Sequence, residues 1–262
     1  MQFATVGSIT LHYKDEGLPH GQPLVFLNSL GTDLRIWDGV LSFLAPHYRL
    51  IRYDKRGHGL SDAPPGPYQL QDHTADLISL LDHLDITRAI LIGDSVGGMI
   101  TLDCAIRYPE RIVAIIPCDT AAKIGTAVYW HERITAVRTT GIAPLAEAIL
   151  SRWFSPDFSS QNPAAYRGYG HMLTRTPQEG YAATCEAIRD ADLREAIGQI
   201  ELPALVLCGA ADGATPPELV QGLADGLKNG RFTLIPHAGH IPSIEQPAIM
   251  AEIILSFLQE VA

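Results

Sequence analysis

Three residues of this chain have the types and the order needed to move an acyl group: Ser95, Asp212 and His240. Ser95 lies in Ile90-Leu91-Ile92-Gly93-Asp94-Ser95-Val96-Gly97-Gly98-Met99-Ile100, an apolar run, a Gly-x-Ser-x-Gly turn and a second apolar run that opens a helix. Without Cβ atoms at Gly93 and Gly97, a strand and a helix can crowd together, so that Ser95 occupies a sharp, strained turn and projects its hydroxyl. The N–H of Val96, at the helix start, then faces the oxyanion that forms when the serine attacks a carbonyl. The pentapeptide alone also fits a serine that merely caps a helix; the strand before it and the helix after it favour the nucleophile.

A serine needs a base. His240, in Pro236-His237-Ala238-Gly239-His240, follows a strand and precedes the last helix. Asp212, in the loop leaving the strand Ala204 to Cys208, completes the order serine, acid, histidine and is expected to orient the imidazole and stabilise its cation. Each has a rival: His237 as base, a helix-capping role for Asp212, and Asp119, after the strand Ile112 to Ile116, as the acid. Asp94 is expected to point away from Ser95. The second oxyanion donor is expected from Asn28-Ser29-Leu30-Gly31-Thr32, with the Leu30 N–H as the choice. Arg56-Gly57-His58-Gly59 reads as a tight loop beneath the site, with His58 structural.

These residues need a scaffold. Leu24 to Leu27, Leu50 to Tyr53, Ala89 to Ile92, Ile112 to Ile116, Ala204 to Cys208 and Phe232 to Ile235 read as buried strands. Leu70, Leu77, Leu81 and Leu84, and later Ile249, Ile253 and Phe257, recur at near-helical spacing. Strand and helix in alternation imply a mostly parallel central sheet covered on both faces. From about residue 121 to 195 the alternation stops and helical patterns such as Ile134 to Val137 and Leu145 to Leu150 take over. The expected organisation is a core of 1–120 and 196–262 with a helical lid, 121–195, inserted between two strands.

With 262 residues, 47% of them hydrophobic, the chain suits one large domain with an insertion. Its 29 acidic and 19 basic residues, net −10, disfavour a nucleic-acid partner, which requires a basic patch. The balance is uneven: residues 121–195 carry seven Arg, one Lys and eight acids, leaving 11 basic against 21 acidic residues elsewhere. Cys104, Cys118, Cys185 and Cys208 lack paired spacing and read as buried thiols, pointing to a reducing cytoplasm. No uncharged run reaches membrane-spanning length and the first ten residues lack a signal-peptide pattern, so a soluble protein is expected, off the membrane. No His, Cys and carboxylate set has metal-ligand spacing, and neither metal nor cofactor is expected.

The motif around Ser95 with Asp212 and His240 resembles the α/β-hydrolase family, and within it the chain is similar to the 3-oxoadipate enol-lactonases over nearly its whole length. The likeness rests on residues 28–33, Arg52-Tyr53-Asp54 with Arg56-Gly57-His58-Gly59, Pro65-Gly66-Pro67-Tyr68, Arg152-Trp153-Phe154, residues 179–181 with 185–188, and Ala211-Asp212 with residues 214–217. It implies the α/β-hydrolase fold and a serine hydrolase that opens an enol-lactone ring to 3-oxoadipate in the β-ketoadipate pathway, on a small lactone or ester substrate that is anionic. Trp130 and Arg133, at the Trp-x-x-Arg spacing the family shows in its lid, would share a helix face, Arg133 gripping a carboxylate, with Trp153 also touching substrate. The bland alternative is Arg133 paired with a nearby glutamate and the tryptophans as lid core. The chain departs from the lactonases at Asp94, where they usually carry an apolar residue, and at residues 238–243. A carboxylesterase of broader range, a cofactor-free perhydrolase, or a ligand-binding receptor on a hydrolase scaffold are the other readings.

Overall fold

Eight strands form one sheet in a computed structural model that describes residues 1–261. They are β1 (Gln2–Val6), β2 (Ile9–Gly17), β3 (Pro23–Leu27), β4 (Arg49–Tyr53), β5 (Ala89–Asp94), β6 (Ile112–Cys118), β7 (Ala204–Gly209) and β8 (Gly230–Ile235), in the spatial order β1-β2-β4-β3-β5-β6-β7-β8. From β4 to β8 all neighbours are parallel. Every residue of β5 and β7 is buried, as expected of parallel strands covered on both faces.

The parallel strands coincide with the apolar runs of the sequence, although β8, at the sheet edge, buries only Ile235 and leaves Leu234 exposed; the antiparallel edge does not coincide with such runs. β1 and β2 form a hairpin about Gly7-Ser8, and β2 continues antiparallel onto β4. Here the apolar residues alternate instead of running on: Ala4 and Val6, then Ile9, Leu11 and Tyr13, are buried, while Phe3 is exposed. That period of two, broken by a glycine at φ +57°, is the signal from which the hairpin was recoverable.

Helices α1 (Asp38–Leu44), α2 (Leu70–His83) and α3 (Val96–Arg107) connect the early strands. The insertion follows β6: α4 (Ala127–Thr140), α5 (Ala146–Trp153), α6 (Phe158–Gln161), α7 (Pro163–Thr174) and α8 (Gln178–Asp190), with no strand among them. α4 starts where the Thr126 side chain accepts the Tyr129 N–H and stops at Gly141 with φ +81°, a conformation that suits glycine. α9 (Pro217–Gly226), α10 (Pro242–Glu245) and α11 (Pro247–Val261) complete the chain, α11 packing on α1. Leu70, Leu77, Leu80 and Leu81 form the buried stripe of α2; Met250, Ile254 and Phe257 belong to that of α11. Among the described residues no helix is long and apolar enough to cross a membrane.

The turn from β5 into α3 is where backbone meets backbone. A Cβ on Gly97 would lie 2.2 Å from the Leu27 carbonyl oxygen at the end of β3, and one on Gly93 would lie 2.3 Å from the Gly97 oxygen. Neither contact is tolerable, since both partners are main chain. Between them Ser95 sits at φ 57°, ψ −116°, a conformation a β-carbon resists. We expect Gly97→Ala to destabilise the fold by about 1–3 kcal/mol, the range for overpacking a filled interior. Urea unfolding of the two proteins measures this; equal midpoints and slopes would mean that the elbow is looser than its geometry.

Candidate active site

Loops at the carboxyl ends of the strands converge on one cavity of about 340 Å³ beneath the insertion. Ser95 and His240 both line it, together with Ser29 and Leu30 from the loop after β3 and Thr215 from the loop after β7. His240 Nδ1 lies 2.9 Å from Asp212 Oδ2, with both side chains buried. Asp212 Oδ2 also accepts the Thr215 hydroxyl at 2.7 Å, while Oδ1 accepts the N–H groups of Ala214 and Thr215 at 2.7 and 3.0 Å. Four donors thus hold one carboxylate. Its burial favours the neutral acid, but the His240 charge and the hydrogen bonds from His240, Thr215 and Ala214 outweigh that and hold its pKa below the ordinary value. For His240 burial favours the neutral ring, and the Asp212 carboxylate more than reverses this, raising the pKa above 6.5.

The rivals named from sequence lie elsewhere. His237 is exposed in the turn after β8 and borders a different surface hollow. Asp119 is buried, and its Oδ1 accepts the Gly209 N–H at 2.8 Å rather than meeting the imidazole. Asp119, Cys208 and Asp212 bring potential ligand atoms within 4.8 Å of one another, but both Asp212 oxygens are already committed as above. His58 is buried and uncharged: its Nε2 accepts the Gly31 N–H at 3.0 Å, which leaves the ring proton on Nδ1, 3.2 Å from the Arg56 carbonyl. It therefore pins the loop after β3. Val96, the first residue of α3, is fully buried and is not among the residues lining the cavity; its N–H, at the helix start, has no intrahelical acceptor.

The insertion supplies the rest of the wall. Trp130 and Arg133 from α4 and Trp153 from α5 all line the cavity. Trp130 donates its indole N–H to the Ile124 carbonyl at 2.7 Å. Arg133 is not paired with a glutamate; its guanidinium donates to the Tyr181 and Tyr129 hydroxyls at 3.1 and 2.6 Å. The arginine that does take glutamates is Arg138, five residues on, with Glu179 and Glu186. A second cation, Arg152, shares the Tyr129 hydroxyl at 2.8 Å and donates to the Gly213 and Ala214 carbonyls. Among the described residues neither Arg133 nor Arg152 has a carboxylate partner within 4.0 Å. Arg152 and Tyr129 were missed as site residues because their pairing joins two helices through a bridging phenol, which no spacing within one segment reveals.

Residues 22–247 match the alpha/beta hydrolase fold family. The chain belongs to the α/β-hydrolases. Among relatives, 3-oxoadipate enol-lactonase 2 of Acinetobacter baylyi is 38% identical over 243 residues, 93% of this chain and 91% of that protein. The solved enol-lactonase of Burkholderia xenovorans LB400 is 38% identical with a TM-score of 0.96, covering 98% of this chain and 100% of that one. A thermophilic esterase from Thermogutta terrifontis, solved with malate bound, is 27% identical with a TM-score of 0.94, covering 100% of this chain and 99% of that one.

A further carboxylate lies at the elbow of this α/β-hydrolase. Asp94 is buried off the cavity wall, and neither of its oxygens has a hydrogen-bond partner among the described residues; the Ser29 hydroxyl approaches without bonding geometry. Burial raises its pKa to about 8, with the Asp212 charge adding to the effect and His240, Ser29 and Lys55 opposing it. Its folded pKa thus exceeds its unfolded value of about 3.9, so the folded state holds a proton that the unfolded chain releases. The stability linked to that proton is complete below about pH 4 and drains away as pH rises towards 8. We expect Asp94→Asn, which has no charge to bury, to gain on the wild type steadily between pH 5 and pH 8 in urea unfolding. A difference constant with pH would show that Asp94 is ionised throughout.

Proposed function

We propose that this chain hydrolyses the ring ester of 3-oxoadipate enol-lactone, or of a close carboxylate-bearing lactone, through an acyl-enzyme on Ser95. The observation that carries the reading is one cavity lined by a serine, a histidine and two guanidiniums without carboxylate partners among the described residues. In a chain of net charge −10, such cations mark where an anionic group is received. Similarity to two enol-lactonases at 38% identity supports the same substrate class.

In this reading His240 takes the Ser95 proton as Oγ bonds to the lactone carbonyl carbon. The oxyanion of the tetrahedral intermediate is met by the N–H groups of Leu30 and Val96. Collapse breaks the ring C–O bond; the enol oxygen leaves with the proton from His240, and the opened chain stays attached to Ser95 as its acyl ester. Water, deprotonated by His240, attacks that ester, and Ser95 recovers its proton as the dicarboxylate product leaves. Asp212 stabilises the imidazolium in both halves. Residues 121–195 act as the lid, Arg133 and Arg152 holding the substrate carboxylate against Trp130 and Trp153. Four buried free thiols fit a reducing compartment such as the cytoplasm.

An esterase of broader range is the second reading, supported by the apolar side walls of the cavity and by the likeness to the Thermogutta esterase. The two separate on charge. Arg133→Met should lower kcat/KM about 10–100-fold on the anionic lactone, the worth of a charged hydrogen bond, with a far smaller change on a short neutral ester. An equal small change on both substrates favours the esterase. The pH profile tests the base: kcat/KM should fall on the acid side with a midpoint above 6.5, because the imidazole must be neutral to accept the serine proton. Asp212→Asn should move that midpoint down and lower kcat by about 10⁴-fold. An unmoved midpoint would remove Asp212 from its role.

A further inference from the structure

Lys55 is a buried lysine that the reaction above leaves without a task. It follows β4 in Asp54-Lys55-Arg56-Gly57-His58, is 2% exposed, and runs beneath the loop after β3. Its ammonium donates to the Ser29 carbonyl at 2.5 Å and to the Asn28 carbonyl at 3.2 Å. Among the described residues it has no carboxylate within ion-pair distance, although Asp54, Asp33 and Asp94 lie near enough to act on its charge. Burying an ammonium costs several kcal/mol unless it is compensated, so packing alone does not explain a lysine here.

The two carbonyls it holds belong to the loop that supplies the oxyanion donor. A trans peptide points its C=O and N–H in opposite directions within one plane. The Ser29–Leu30 peptide is trans, so a Ser29 carbonyl turned down to Lys55 turns the Leu30 N–H up, to the side where Ser29 and Leu30 line the cavity with Ser95. The Thr32 hydroxyl donates to the same carbonyl at 2.9 Å, and His58 holds the next N–H, that of Gly31. Among the described residues no protein acceptor takes the Leu30 N–H.

We propose that Lys55 is a positioning residue for the oxyanion hole: by gripping the Ser29 and Asn28 carbonyls from below, it aims the Leu30 N–H at the oxygen of the tetrahedral intermediate. Lys55 touches no substrate. The ammonium is suited to this because one group bonds two successive carbonyls at once. An apolar residue of equal length fills the space but leaves the Ser29 carbonyl to Thr32 alone and removes the Lys55 donor from the Asn28 carbonyl.

The inference rests on the acyl-enzyme reading, and its test keeps the two apart. Wild type and Lys55→Met are compared on whichever of the enol-lactone or p-nitrophenyl acetate the wild type turns over. Inhibition by phenylboronic acid, which forms a tetrahedral adduct on a serine, and by adipate, which mimics the ground state, is measured alongside. A wild type inactive on both substrates and indifferent to the boronate overturns the acyl-enzyme reading itself. For an active enzyme, Lys55→Met should lose about 10–100-fold in kcat, part of the effect of deleting an oxyanion donor. KM and adipate affinity should stay within about twofold, with boronate affinity falling in step with kcat. Unchanged kcat in folded Lys55→Met, or loss of adipate and boronate affinity together, overturns the proposal. Should that variant not fold, amide NMR of the wild type decides: boronate should shift the Leu30 and Val96 N–H signals downfield, and an unmoved Leu30 signal overturns it.

Discussion

The site depends on how closely two pieces of main chain approach each other. Where β5 turns into α3, the backbone of Gly97 touches the end of β3, and only the missing Cβ atoms of Gly93 and Gly97 make that contact possible. The contact holds Ser95 in its strained conformation, sets the Val96 N–H at a helix start, and fixes the distance from the elbow to the loop carrying Leu30. Loosening it would move the Ser95 hydroxyl and the Val96 and Leu30 N–H groups relative to one another. Strain of this kind persists because parallel strands buried on both faces surround it.

Electrostatics around the elbow follow from burial. Asp94, Asp119 and Asp212 all lie behind the cavity, and only Asp212 meets the imidazole. Burial favours the protonated form of Asp94 and Asp119, so the charge behind His240 is concentrated on the one carboxylate with four donors. The cavity wall also carries positive charge. Arg133 and Arg152 both line the cavity and both donate to the Tyr129 hydroxyl, within a chain that is acidic elsewhere.

What was legible in the sequence was what is local. The six parallel strands are short apolar runs, and Ser95, Asp212 and His240 stand out because each follows such a run in the order the chemistry needs. The β1–β2 hairpin was not named because its apolar residues alternate, a weaker pattern than a run. Arg152 was noticed only as part of a similar segment, since its place beside Arg133 depends on how α4 and α5 pack. The surroundings of Asp94 and the grip of Lys55 on another strand's loop are likewise products of the sheet order β4-β3-β5, which places side chains far apart in sequence under one another.

The central claim is that Ser95 forms the acyl-enzyme. The most direct measurement is turnover of 3-oxoadipate enol-lactone by the wild type and by Ser95→Ala, with circular dichroism to establish that both are folded. The account requires ring opening by the wild type and a loss of at least about 10³-fold in the folded variant. Substantial turnover by folded Ser95→Ala would contradict it.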